Sequence, residues 1–330
     1  MHTTFLRHIG SLIVCLAASM LMAGYGSAQS NREFPVKPIR LVVGFSPGGG
    51  TDMTARTVAQ ALSERGDYTV IVDNRPGAGG AISREIVRNA HPDGYTLLLL
   101  SASQTVNASL ITKDAVGILD SFDPVTQLVW YPYLIVGNPS APWKTMRELI
   151  TYAKSKPGAI NYGTPGYGTF GHLGSELLAD MAGIKMTHVP YKGSNDSIRE
   201  VMGGQIQLSF ASVVSSVSLV QSGKLRALAV SSGKRAKLLP NIPTVAESGV
   251  PGYDVTGWYA AMATKGTPKN VVMKLNRDIS KVLDSPKLEK IFAADGSEAD
   301  ATTPEKLREN INREVKVWGK LLASVNIKLR

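Results

Sequence analysis

Short apolar runs of strand length alternate along this chain with segments whose apolar residues recur at helical spacing. IRLVVGF is followed by a helical pattern over residues 52–64, then by TVIVDN, a helical pattern over 80–90 and YTLLLLSAS. The alternation restarts with the helical TMRELITYAKSKPG and continues through AINYGT, a helix over 170–182, MTHVPY, a helix over 196–202, IQLSFAS and KLRALAVSS. Such alternation is typical of a parallel sheet covered by helices on both faces, so the sequence predicts an α/β fold.

The two groups of alternating segments predict two lobes, for which a chain of 330 residues is long enough. No linker rich in serine or glycine separates them, so we expect extended segments near 128–136 and 227–232 to cross between the lobes. Residues 29–130 with 231–330 are predicted to form lobe 1, which ends in a mainly helical segment, and residues 131–230 to form lobe 2. A ligand cleft is expected between the lobes.

Residues 1–28 are predicted to be a secretory signal peptide that is cleaved after Ala28. A short basic start is followed by an apolar run from Ile9 to about Ala23 and then by small residues. A membrane anchor is the alternative, but the apolar run is short and a cleavage site follows it. The single cysteine, Cys15, lies inside this segment. The mature chain therefore has no disulfide, thiolate metal site or cysteine nucleophile.

The formal net charge of +10 indicates a bias toward anionic ligands. Lysines and arginines are scattered singly, without the basic runs and interleaved aromatic residues of nucleic-acid-binding proteins. Most of the charge is therefore expected on a solvated surface, and no nucleic-acid partner is predicted.

The segment FSPGGGTD, residues 45–52, lies between a predicted strand and a predicted helix. Such a turn directs free backbone N–H groups and the positive end of a helix dipole toward an anion. No lysine follows the glycines, as a nucleoside-triphosphate loop would require. The candidate ligand-binding residues of this turn are Phe45, Ser46, Gly48, Gly49, Gly50 and Asp52.

A second turn of this kind contains Gly166, Gly168 and Thr169. Its glycines match G-x-G-x-x-G, but the next strand ends HVPYKG without the acidic residue that would bind a ribose, which disfavours a dinucleotide. Both turns follow strands, and ligands of doubly wound sheets bind at the carboxyl ends of strands. We therefore expect the two turns to converge on one small carboxylate. The alternative for each turn is that its glycines only allow the chain to turn tightly and bind no ligand. The turn NRPGAGG supplies Gly79 as a secondary candidate.

Four further residues complete the candidate site: Ser101, His172, Tyr191 and Asp196. His172 is expected near the ligand rim, whereas His188 has the pattern of a buried strand residue. Asp52 is expected mainly to cap its helix, with a ligand contact as the alternative, and Asp196 has the same ambiguity. No catalytic constellation, metal-ligand spacing or cofactor motif is found, so the chain is predicted not to be an enzyme.

The chain resembles the extracytoplasmic solute-binding receptors of tripartite tricarboxylate transporters, the Bug family. The resemblance lies in PVKPIRLVVGFSPGGGTDMTAR, VDNRPGAGGAI, HPDGYTLLL, INYGTPGYGTFGHLGSELL, HVPYKGS, GGQI, GKLRALAVSSGKR and IPTVAESGVPGY, in order along nearly all of the mature chain. It implies a two-lobed periplasmic binding protein of type II. It also implies that backbone amides of both glycine turns hold the carboxylates of a dicarboxylate, tricarboxylate, acidic amino acid or aromatic carboxylate.

The implied partners are the membrane permease subunits of such a transporter, with a sensor kinase as an alternative, and the protein is expected to be a periplasmic monomer. The family pattern Tyr-Lys-Gly-x-x-Pro-Ala reads YKGSNDS here, which places Asp196 and Ser197 where proline and alanine are usual. An added carboxylate near the cleft leaves the identity of the ligand open. A secreted hydrolase on the same scaffold is the other alternative.

Overall fold

The computed structural model describes residues 34–66, 68–108, 117–294 and 296–324, without the side chains of 321–324. The predicted signal peptide and its cleavage site after Ala28 lie outside the described residues. Within these described ranges, no helix combines the length and apolar character needed to cross a membrane. Residues 37–330 form one compact unit of the chain, and its secondary structure follows.

In the described part of this unit the strands are β1 (Ile39–Val43), β2 (Val70–Asn74), β3 (Thr96–Ser101), β4 (Phe122–Gly137), β5 (Asn161–Thr164), β6 (Thr187–Pro190), β7 (Leu208–Ser212), β8 (Arg226–Val230), β9 (Thr256–Thr264) and β10 (Glu298–Ala299).

The helices of the same residues are α1 (Gly50–Glu64), α2 (Ala81–Arg88), α3 (Ala102–Val106), α4 (Ile118–Ser121), α5 (Met146–Ser155), α6 (Phe170–Ala182), α7 (Ser194–Met202), α8 (Val213–Gln221), α9 (Lys269–Leu283), α10 (Pro286–Ala294) and α11 (Pro304–Ser324). A short 3₁₀ helix, Ala78–Gly80, precedes α2.

Helix α1 forms where the helical spacing predicts it. Its apolar residues Ala55, Val58, Ala59 and Leu62 follow one another at intervals of three and one, and all four are buried. This stripe faces the core, whereas Arg56 and Gln60 on other faces of the helix remain exposed. Burial of a valine or leucine side chain contributes about 1.5–3 kcal/mol, so the buried stripe fixes the helix against the sheet.

The strands lie in the order β2-β1-β3-β9-β4-β7-β5-β6. Strands β2, β1 and β3 are parallel to one another, as are β6, β5 and β7. The expectation of parallel sheets is therefore correct for these two groups. It is wrong for the strands between them, because β9 runs antiparallel to both β3 and β4, and β4 runs antiparallel to β7 and β8.

Strand β4 joins the two parallel groups because its 16 residues change partners along their length. Residues 122–132 pair with β9, and residues 133–137 pair with β7 and β8. After β8 the chain returns to the first group of parallel strands, where β9 pairs with β3. The result is an α/β fold in which two groups of parallel strands are joined through antiparallel strands.

Candidate functional site

The first glycine turn connects β1 to α1. Gly49 is the N-cap of α1, its backbone is extended, and no side chain caps the helix there. The first N–H groups of an α-helix have no intrahelical acceptor, so those of this turn are available to a ligand. Gly48 has φ +76°, a left-handed conformation that favours glycine. The predicted order of strand, glycine turn and helix is thus confirmed.

Asp52 stabilises this turn through three hydrogen bonds to its carboxylate. Its carboxylate accepts hydrogen bonds from the Gly48 N–H at 2.8 Å, from Arg56 Nε at 2.9 Å and from Asn74 Nδ2 at 2.9 Å. Burial raises the pKa of Asp52, but these hydrogen bonds outweigh burial and lower the pKa below its ordinary value. Asp52 is therefore ionised. The expectation that it caps its helix is wrong, because Gly49 is the N-cap without a side-chain hydrogen bond, and Asp52 instead accepts from the Gly48 N–H, which precedes the helix.

The second glycine turn connects β5 to α6, with Thr169 as the N-cap. The Thr169 hydroxyl donates to the Gly166 carbonyl at 2.8 Å and accepts from the His172 N–H at 3.4 Å. The Gly168 N–H donates to His172 Nδ1 at 3.1 Å. This N–H was expected to bind the ligand carboxylate, but in this structure it stabilises the turn itself.

His172 and His188 form a stacked pair behind this turn, with ring centroids 4.2 Å apart. His188 Nε2 lies 2.6 Å from the hydroxyl of Thr164, which also contacts the backbone of Gly166. Burial lowers the pKa of His172 to about 4, and burial together with the neighbouring His172 lowers the pKa of His188 to about 3. Both rings are therefore neutral near pH 7, and they position the turn as hydrogen-bonding groups.

The two turns meet at a small cavity in the cleft. It is lined by Phe45, Gly49, Gly50, Thr51, Ser101, Ser103, Tyr131, Tyr133, Pro165, Thr169, Gly171, Ser194, Ser212 and Tyr259. Four of these residues, Gly50, Gly171, Ser194 and Ser212, lie at the starts of α1, α6, α7 and α8. Helix N-termini favour anions. Since the lining among the described residues includes no charged side chain, backbone dipoles and hydroxyl groups would bind an anion here.

Three tyrosines form one wall of the cavity. The hydroxyls of Tyr131 and Tyr133 are 3.3 Å apart, and the rings of Tyr131 and Tyr259 have centroids 4.4 Å apart. Burial raises the pKa of all three hydroxyls, so each remains protonated and can donate a hydrogen bond. The Tyr259 hydroxyl also interacts with the side chains of Thr51 and Ser212.

The cavity has a volume of about 20 Å³, which is enough for about one water molecule. A carboxylate with several carbon atoms requires more space. The cavity therefore has to widen to hold such a ligand, and the two sides of the cleft have to move apart before the ligand can enter.

The sequence-predicted site residues fall into two groups. Those that line the cavity are Phe45, Gly49, Gly50, Ser101 and Thr169. Those that lie outside the lining are Ser46, Gly48, Asp52, Gly79, Gly166, Gly168, His172, Tyr191 and Asp196. Members of the second group support the turns or contact one another around the cavity. Gly79, for example, packs against the Tyr167 carbonyl, and the Tyr191 N–H donates to the Thr164 carbonyl.

Sequence reasoning missed nine lining residues: Thr51, Ser103, Tyr131, Tyr133, Pro165, Gly171, Ser194, Ser212 and Tyr259. Ser194 and Ser212 could have been found because Ser194 begins α7 and Ser212 is the N-cap of α8, and both helices follow strands as the two glycine turns do. The three tyrosines carry no such local signal, since they lie within β4 and β9.

A larger cavity, of about 460 Å³, lies elsewhere and includes Trp130, Lys237 and Glu298 in its lining. It contains side chains of both charges, and Lys237 forms an ion pair with Glu298 at 3.2 Å. Size alone would favour this cavity, but neither glycine turn reaches it. The smaller cavity is therefore the better candidate for binding an anion.

Comparison with known proteins supports a two-lobed α/β fold of the periplasmic binding protein type. Residues 54–327 match the family described as "Tripartite tricarboxylate transporter family receptor". Protein BugT of Bordetella pertussis is 33% identical over 321 residues, which cover 97% of this chain and 98% of BugT.

Two similar solved structures contain ligands. A protein of R. palustris with adipate is 33% identical with a TM-score of 0.83, covering 89% of this chain and 99% of that protein. MatC from Rhodopseudomonas palustris with bound malate is 28% identical with a TM-score of 0.83, covering 88% of this chain and 100% of MatC.

Proposed function

Because the chain belongs to the receptor family of tripartite tricarboxylate transporters, we propose that it captures a small carboxylate in the periplasm and delivers it to a membrane permease of this type. The observation that carries this proposal is the convergence of four helix N-termini on a cavity without charged side chains among its described lining residues. Unsatisfied N–H groups at helix N-termini and neutral hydroxyl donors bind a carboxylate without a cationic side chain.

In this proposal the residues that line the cavity contact the ligand, and the candidates outside the lining build the binding surface. Gly49 and Gly50 line the cavity from the first turn and offer backbone N–H groups, and Thr169 lines it from the second. Phe45 and Ser101 contribute a ring and a hydroxyl. The lobes comprise residues 29–130 with 231–330 and residues 131–230, as the change of partners along β4 supports.

A dicarboxylate is the ligand class that the cavity and the relatives favour. Adipate and malate, present in the two similar structures, are both dicarboxylates. Several helix N-termini around one cavity suit two carboxylate groups better than one. Among the described lining residues no carboxylate is present to pair with an ammonium group, so an acidic amino acid suits this cavity less well.

A secreted hydrolase on the same scaffold would need an exposed nucleophile and a base. Thr164 and His188 are in hydrogen-bonding contact, but Thr164 is fully buried and neither residue lines the cavity. His172 accepts a backbone N–H. These contacts favour a receptor. A subunit that presents its ligand to a sensor kinase remains the second candidate, because it would use the same closed, liganded surface.

The test is a thermal-shift screen of the purified protein against adipate, malate, a tricarboxylate, aspartate and a neutral sugar. A ligand at 100 times its dissociation constant stabilises the folded state by about 2.7 kcal/mol. We expect a shift with at least one carboxylate and none with the sugar. A shift with the sugar alone, or hydrolysis of p-nitrophenyl acetate above the buffer rate, would contradict the proposal.

We also propose export with cleavage after Ala28. Mass spectrometry of a periplasmic extract should identify a mature chain that begins at Gln29. A protein that keeps Met1, or that remains in the membrane fraction, would contradict this part of the proposal.

A further inference from the structure

The first glycine turn contacts the beginning of α7 across the edge of the cleft. The Ser46 hydroxyl donates to Asp196 Oδ2 at 2.9 Å, and the Ser46 N–H donates to the Lys192 carbonyl at 3.3 Å. Asn195 Nδ2 donates to the Pro47 carbonyl at 3.4 Å. These residues come from parts of the sequence about 150 positions apart, so their contacts join the two sides of the cleft.

Asp196 is oriented toward Ser46 by its own helix. It lies in the first turn of α7, where the helix dipole favours a carboxylate. Its Oδ1 atom accepts a hydrogen bond from Arg199, three residues further along. This leaves Oδ2 to accept the bond from Ser46, and the side chain is 22% exposed. A hydrogen bond to a charged acceptor is stronger than one between neutral groups.

Asp196 is absent from the lining of the cavity. We expect a dicarboxylate to enter or leave the cavity when the two sides of the cleft move apart. Opening separates the first turn from α7, and the hydrogen bond between Ser46 and Asp196 has to break. We therefore expect this bond in the closed form and not in the open form.

We propose that Asp196 is a latch residue, whose hydrogen bond from Ser46 holds the cleft closed and slows the release of the bound carboxylate. The effect on ligand release rests on the proposed function, whereas the effect on closure can be measured without a ligand. A separate contact, from Asn107 Nδ2 to the Tyr167 carbonyl at 3.2 Å, also spans the cleft. Loss of the latch should therefore reduce closure without abolishing it.

The experiment measures closure by the distance between two spin labels on the mature chain, which begins at Gln29 and has no native cysteine. Cysteines replace Lys154 on α5 and Glu309 on α11, both exposed residues. The variants are Ser46→Ala, Asp196→Ala and Asp196→Asn. The control is Glu85→Ala, which removes an ion pair of the same i,i+3 spacing, with Arg88, on α2.

Without ligand, Ser46→Ala and Asp196→Ala should each lower the ratio of closed to open molecules by about fivefold, as for loss of one partly exposed hydrogen bond. The double variant should lose no more than either single variant. Asp196→Asn keeps an acceptor oxygen and should retain most of the closure, and Glu85→Ala should match the parent protein. In stopped-flow displacement of adipate, release should accelerate by the same factor.

Unchanged distance distributions in both Ser46→Ala and Asp196→Ala would overturn the latch. So would a parent protein with no closed population, or an equal loss of closure in Glu85→Ala. If no carboxylate binds the parent protein, the proposed function fails, and the distance measurement still decides whether the latch exists.

Discussion

Gly50 lies where the first turn of α1 approaches the opposite side of the cleft. A Cβ atom at this position would be 2.3 Å from Ser212 Oγ, 3.3 Å from Ser212 Cβ and 2.9 Å from the Tyr259 hydroxyl. The shortest distance is at least 1 Å below an ordinary contact of 3.4 Å or more. Gly50 is helical, so alanine suits the backbone itself. Gly50→Ala therefore tests crowding in the closed cleft.

Two opposing effects determine the result. Alanine in place of a helical glycine stabilises a fold by roughly 0.5–1 kcal/mol. Crowding in a packed interior costs about 1–3 kcal/mol. Ser212 cannot rotate away without disturbing its contacts with Ser215 and Tyr259. The shortest approach, to Ser212 on the other lobe, occurs only in the closed form, so we expect Gly50→Ala to weaken carboxylate binding about tenfold or more. The milder approach to Tyr259, on the same lobe, persists in the open protein and is offset by the gain from alanine, so the stability of the open protein should change by less than about 1 kcal/mol.

Calorimetric titration with adipate and urea denaturation without ligand measure these two quantities. The control is Gly203→Ala at the end of α7, where φ is −76° and the nearest atom to an added Cβ is 3.4 Å away. This control should keep the parent affinity. A folded Gly50→Ala protein that also binds with the parent affinity would refute the argument that α1 and Ser212 close upon each other around the ligand.

Two further predictions concern stability. Asp52→Ala removes the carboxylate that accepts from the Gly48 N–H and the Asn74 amide, and should lower the free energy of unfolding in urea by about 1–3 kcal/mol. Asp52→Asn should lose less. Equal stability of both variants and the parent would contradict the role of Asp52. Below the ordinary histidine pKa of 6.5, His172 and His188 are protonated in the unfolded chain but stay neutral in the fold. The free energy of unfolding should therefore fall from pH 7 to pH 4, by about 3 kcal/mol for His172 alone. A free energy of unfolding that does not change with pH would contradict this.

Local patterns were sufficient to predict the two glycine turns. In each, an apolar run ends at a glycine-rich segment and a helical pattern follows, so strand, turn and helix are all encoded within about 20 residues. The lining positions of Gly49, Gly50 and Thr169 follow from that order together with the rule that ligands bind at the carboxyl ends of strands.

The antiparallel centre of the fold could not be predicted in this way. Strand β9, TGWYAAMAT, is rich in alanine, which favours helices, and it becomes a strand because it pairs with β3 and β4 on both sides. Helix α8, VVSSVSLVQ, contains β-branched residues that favour strands. Tertiary packing overrides local preference in both elements, and β9 brings Tyr259 into the cavity. The tyrosine wall therefore depends on topology.

The second glycine turn provides the last prediction. Gly168 has φ +68°, a conformation that costs a residue with a side chain about 1–2 kcal/mol. Gly204, beyond the end of α7, has φ +75° with open space around an added Cβ, so it is a control with the same backbone conformation. Both Gly168→Val and Gly204→Val should lose stability in urea unfolding.

Only Gly168→Val should lose affinity in calorimetric titration with adipate. The Gly168 N–H holds His172, and the same turn places Thr169 and Gly171 in the cavity lining, so a displaced turn misdirects the N-terminus of α6. Gly204 lies outside that lining, and its strain should leave binding unchanged. Circular dichroism shows whether each variant is folded before affinity is compared. If folded Gly168→Val binds adipate as tightly as Gly204→Val, the second turn does not help to bind the carboxylate, and the first turn with the tyrosine wall must supply the binding energy.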